Sequence, residues 1–147
     1  MKMTLARALK ERCRIAGKLK MKLDIINCEN SAIQGNERNF DLRAVYAECM
    51  ELHRKLIQIK QIIAAANAPI VDKLVEMDEV KSMIARLRGI NTTTGIVERG
   101  YGQSDRYMEV VFSASEMTAE ADRFQARAEQ LQDELDAFNA LTKVEIP

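Results

Sequence analysis

The amino-acid sequence predicts a mainly α fold: an antiparallel helical bundle of long, coiled-coil-like helices with a small β-hairpin before the last helix. Three observations predict it. Apolar residues recur at alternating steps of four and three along three stretches, each longer than three heptads. That spacing keeps one stripe of a helix against a partner helix. Aromatics are 5% of the chain and tryptophan is absent. The apolar material is therefore Leu, Ile, Ala and Met, which suits close helix packing better than a sandwich or barrel. Four of the six glycines, Gly89, Gly95, Gly100 and Gly102, fall between positions 89 and 102, and they set one segment apart from the helical pattern. At 147 residues the chain reads as a single helical-bundle domain, 1–147.

The first helix is expected over about 4–29, with Thr4 as its N-cap. Its stripe runs Leu5, Leu9, Arg12, Ala16, Leu19, Leu23, Ile26. Some 25 residues make a rod of roughly 37 Å. Gly17 inside it costs about 1 kcal/mol relative to Ala, and its place beside Ala16 suggests a close helix approach. Asn30–Phe40 is polar and reads as a long loop.

The second helix is expected over 42–67. Asp41 is placed to cap it, with Phe40 and Val45 at the positions of a hydrophobic staple. Its stripe runs Leu42, Val45, Cys49, Leu52, Leu56, Ile59, Ile63, Ala66. A second apolar set, Tyr46, Met50, Ile57 and Ile62, widens the face and predicts more than one neighbour. Pro69 ends the helix, because its ring removes a donor and pushes the preceding residue out of helical geometry.

The third helix, 70–88, puts Leu74, Met77, Val80, Ile84 and Leu87 on one face, with Gly89 at the C-cap. Ile96-Val97 and Tyr107–Phe112 are β-favouring and flank Gly100–Ser104, so a hairpin is expected over about 94–112. A lone hairpin is marginal and must lean on the bundle or on another copy. Ser113 and Glu116 have capping-box spacing for the last helix, 114–140. Its stripe is Met117, Ala121, Phe124, Ala128, Leu131, Leu135, Phe138. Val144 to Ile146 adds a short extended segment.

Charge is balanced overall, 22 basic against 22 acidic residues, so net charge draws the chain to neither nucleic acid nor a membrane surface. It is unevenly spread. Residues 1–24 hold eight Lys or Arg and two acids, and residues 113–140 hold seven acids and two Arg. Flanking charges select partner and orientation, so the first and last helices are expected side by side, in one chain or between two. The longest uncharged run, Gln61–Val71, has eleven residues, against about twenty for a membrane span. The start, MKMTLARALKERCRIAGKLK, is charged throughout and unlike a secretory signal. Cys13, Cys28 and Cys49 are an odd count without CxxC, which reads as free thiols in a cytoplasmic protein.

The segments LARALKER, LIQIKQIIAAAN ending at Asn67, MEVVFSASEM and LDAFNALTKVEI together resemble a family of small bacterial proteins that often bear the name septicolysin. Where the family pattern has an aromatic after Asn139, this chain has Ala140. The resemblance implies a mostly helical protein and carries over no activity or site residue. The name suggests a cytolysin, but the sequence shows neither a membrane-length span nor the long amphipathic strands of a barrel-forming toxin.

Candidate chemistry is sparse. His53, the single histidine, follows Cys49 by four residues, but Cys49 is on the apolar stripe and reads as a packing residue. A bundle di-metal site needs ExxH, and Met50 stands three before His53. Asp133 with Glu134, and Glu76 with Glu79, read as acids of exposed helix faces. The strongest binding candidate is the glycine loop. Arg99, Gly100, Gly102, Ser104 and Arg106 bring cations and exposed amides that could cradle an anion, without the GxxxxGK[ST] pattern. Arg7, Lys10, Arg14, Lys18 and Lys22 form one basic face of the first helix, the alternative being nucleic-acid contact, with no base-reading motif beside it. The sequence thus leads to a non-catalytic, self-associating structural or scaffolding protein, without cofactor or metal, and with an anion-binding module as the alternative.

Overall fold

The computed structural model describes residues 1–147 except Arg99, Gln103, Asp105 and Pro147. The chain is mainly helical, with two small antiparallel two-stranded sheets. In order it forms β1 (Lys2–Thr4), α1 (Leu5–Glu29), α2 (Leu42–Asn67), a 3-10 turn (Ala68–Ile70), α3 (Val71–Arg88), β2 (Gly95–Val97), β3 (Arg106–Met108), α4 (Ala114–Leu141) and β4 (Lys143–Glu145). It divides into two compact units, Met1–Pro69 with Asp136–Pro147, and Ile70–Leu135.

Local chemistry fixes the helix ends. The Thr4 hydroxyl accepts from the Arg7 N–H at 3.3 Å. The Asp41 carboxylate accepts from the N–H groups of Arg43 and Ala44 at 3.0 and 3.1 Å. At α4 the capping box closes both ways: Glu116 N–H donates to Ser113 Oγ at 3.2 Å, and Ser113 N–H donates to the Glu116 carboxylate at 2.7 Å. Each bond satisfies a donor that the first turn leaves without an intrahelical acceptor. The long loop after α1 is tied back to it. The Arg38 guanidinium donates to the carbonyls of Glu29 and Asn30 at 3.0 and 2.9 Å, covering acceptors that the last turn of α1 leaves open.

In the first unit, Leu5, Ala8 and Ile15 of α1 are buried with Ile59 and Ile63 of α2 and Val144 of β4. The start of α1 therefore meets the end of α2, and Lys22 pairs with Glu48 further along, so the two helices run antiparallel. The α1 stripe differs from the one expected. Ala8 and Ile15 are in the core, while Ala16 and Leu23 are exposed. The inward direction falls on the Ala8 side of Leu5, and the bulkier Leu9 drew the 4-3 count off by about one position. Gly17 is also not a close-approach site, since a Cβ there would meet nothing within 4 Å.

β1 and β4 pair antiparallel, with Lys2 opposite Glu145, Met3 opposite Val144 and Thr4 opposite Lys143. This pairing joins the two chain ends, and Val144 carries it into the core.

In the second unit, the buried positions are Ile70, then Met77, Val80 and Ile84 of α3, and Ala121, Ala128, Leu131 and Leu135 of α4. Lys73 pairs with Glu134, and Arg127 binds Glu76 through two bonds of 2.6 and 2.9 Å. These cross-links run antiparallel too. β2 and β3 form a hairpin with Ile96 opposite Tyr107. Its strands are three residues each, shorter than the β-favouring composition suggested, and Val111 and Phe112 lie outside it and exposed.

Candidate interaction surface

Helix α2 has two apolar stripes and buries one. Val45, Cys49, Ile59 and Ile63 are buried, with Leu52 and Leu56 half-buried beside them. Roughly a third of a turn away, Tyr46, Met50 and Ile57 are 54%, 37% and 43% exposed. Steps of four and seven residues keep these three on one line along the helix. At the start of α2 a cleft of about 800 Å³ opens, lined by Ile26, Arg38, Phe40, Arg43 and Tyr46 among others. Its polar groups already serve the fold: Arg38 holds the end of α1 and Asp41 caps α2. What the cleft presents outward is the exposed rings of Phe40 and Tyr46, and these prolong the outer stripe of α2.

Exposed apolar residues aligned on one helix face mark interaction sites more than scattered ones do, and here exposed His53 and Arg54 occupy the turn between Met50 and Ile57. Cations flank the stripe. Arg43, Arg54 and Lys60 lie on the neighbouring positions of α2, and Arg54 is held by Glu51 at 2.7 Å.

The glycine loop is less organised for chemistry. Arg99 lies outside the described residues. Gly100 and Gly102 are in an exposed turn, Ser104 is exposed, and Arg106 is the first residue of β3, opposite Val97 and exposed. Gly102 has φ +87°, a conformation that favours glycine and explains its presence as a turn residue. Tyr101 is fully exposed.

The basic face of α1 is partly engaged: Arg14 binds Glu11 at 2.7 Å and Lys22 binds Glu48. The hydrogen bond from Glu11 pushes the Arg14 guanidinium above its ordinary pKa, and the same bond holds Glu11 below the usual carboxylate range. The paired acids read from the sequence also have partners. Glu76 is held below its usual range by Arg127, and Glu134 binds Lys73.

Cys49 is fully buried while His53 is exposed, so the two do not share a site. Cys13 and Cys28 are exposed free thiols. Among the described residues, no group of three or more His, Cys, Asp or Glu is arranged to hold a metal ion, and no helix is long and apolar enough to cross a membrane. No protein-family model, curated protein or solved structure matches the chain.

Proposed function

We propose that the chain acts as a structural or scaffolding homo-oligomer, self-associating through apolar faces of its helices and without catalysis of its own. The observation that carries this reading is the second stripe of α2. Tyr46, Met50 and Ile57 are aligned and exposed beside a first stripe that is buried. A helix with two apolar faces wants two neighbours, and α1 covers one of them. A second copy of the chain is the partner present wherever the protein is, and association about a two-fold axis brings the same stripe from both sides. The antiparallel bundle expected from the heptad spacing would be completed by that association.

The test is sedimentation velocity on the purified chain and on Met50→Glu/Ile57→Glu. The wild type is expected to sediment above the mass of one chain at micromolar concentration. The double variant should sediment at a lower mass than the wild type at the same concentration, with unchanged helical circular dichroism, because both side chains are outside the core. A wild type that is monomeric throughout the micromolar range would sink the reading.

A further inference from the structure

We infer that the free edge of β4 is a self-complementary docking strand, which pairs antiparallel with β4 of a second copy. The two β1–β4 sheets then form one four-stranded sheet about a two-fold axis at Val144. The proposal rests on the self-association reading above and names a contact distinct from α2.

The edge follows from the hydrogen bonds. Leu5 N–H donates to the Thr142 carbonyl, Ile146 N–H donates to the Met1 carbonyl, and the Met1 ammonium donates to the Ile146 carbonyl. The even-numbered residues of β4 thus turn their peptide groups toward β1. Alternation along a strand turns those of Lys143 and Glu145 to the opposite edge. Among the described residues the sheet has two strands only, so that edge faces no third one.

Two identical antiparallel strands related by a two-fold axis must pair about a residue, because opposite residues share a face. Centred on Val144, Lys143 stands opposite Glu145 of the second copy, and Glu145 opposite Lys143. These are the residues whose N–H and C=O groups point outward, so each pair can exchange both backbone bonds. Val144 meets its own symmetry mate on the core side, where it is already buried. Both charged side chains are exposed, and among the described residues neither has an ion-pair partner.

Charge normally protects an edge strand from pairing. Here opposite charges one residue either side of the centre turn that protection into a choice of partner: a second copy matches it, and directly opposed like charges would not. The other strands lack the property. About their central residues, β1 would set Lys2 against Thr4, β2 Gly95 against Val97, and β3 Arg106 against Met108.

The experiment uses two full-length single variants, Lys143→Glu and Glu145→Lys, alone and mixed one to one, with size and mass read by sedimentation velocity and native mass spectrometry. Alone, each puts like charges opposite at both ends, and the dissociation constant should rise about tenfold. Mixed, each variant supplies what the other lacks, so a heterodimer should form with wild-type affinity. Glu145→Lys also sets two lysines opposite within its own chain, at Lys2, but that cost is the same alone and mixed. Where either variant fails to fold, amide hydrogen exchange of the wild type decides. The Lys143 and Glu145 amides should be protected at high concentration and released on dilution. Variants that keep wild-type size, mixing that restores nothing, or exchange independent of concentration would each overturn the β4 contact while leaving self-association standing. A monomeric wild type would overturn both.

Discussion

Gly17 lies mid-way along α1, exposed, with open space where a Cβ would stand. A glycine in a helix interior costs about 1 kcal/mol relative to alanine, chiefly through the unfolded chain's greater freedom. Gly17→Ala is therefore expected to stabilise the chain by about 1 kcal/mol, which should raise Tm by about 3 °C in a thermal melt. A melt that is unchanged or lower would show that something covers this face. Cys49 makes the complementary case. It is fully buried while His53, four residues on, is exposed. The stripe pattern places Cys49 inward, and the structure buries it there, away from the exposed His53.

At the scale of elements, the start of α4 depends on one reciprocal pair. The Ser113 N–H, and secondarily its hydroxyl, hold the Glu116 carboxyl below its ordinary value of 4.5. A depressed pKa means that the folded chain binds fewer protons than the unfolded one. The contribution is present above the ordinary carboxylate value and is lost as pH falls through the depressed one. In urea unfolding between about pH 6 and pH 3, Glu116→Gln should lose less stability than the wild type. Glu11 and Glu76 keep their own share of the acid sensitivity in both. Equal slopes would show that the pair contributes nothing.

Capping signals of this kind were legible because they act over three residues. So were the stripes of α2, α3 and α4, whose expected positions are buried or half-buried. In α1 the small Ala8 faces the core and the large Leu23 faces out, and size misdirects a count that ignores which side the neighbour occupies. The β1–β4 pairing joins residues from the two ends of the sequence, Lys2 with Glu145 and Thr4 with Lys143, and three-residue strands leave no periodicity to read. The glycine loop was legible as a turn. Its proposed anion chemistry rests on Arg99, outside the described residues, and on exposed neighbours. The outer stripe of α2 was visible as residues, but only burial separates it from the inner one.

For the whole molecule, the decisive feature is where the largest apolar groups stand. The chain has three tyrosines and four phenylalanines. Phe40, Tyr46, Tyr101, Tyr107 and Phe112 are exposed, and Phe124 and Phe138 are half-buried, so the fully buried core positions are aliphatic side chains, Met77 and Cys49. Aromatic side chains carry the most apolar area per residue and dominate interface energetics. A chain that keeps them outside leaves that apolar area unburied within one copy. On the proposed self-association, part of the stability lies in a concentration-dependent term, because an oligomer that dissociates on unfolding is stabilised by mass action. The wild-type Tm should accordingly climb by about 2 °C for each tenfold rise in protein concentration. In Met50→Glu/Ile57→Glu the dependence should weaken, and the melt at high dilution should coincide with that of the wild type, since neither residue belongs to the core. A wild-type Tm that stays constant over a hundredfold range, about 4 °C below the rise expected, would mean that the exposed rings meet only water.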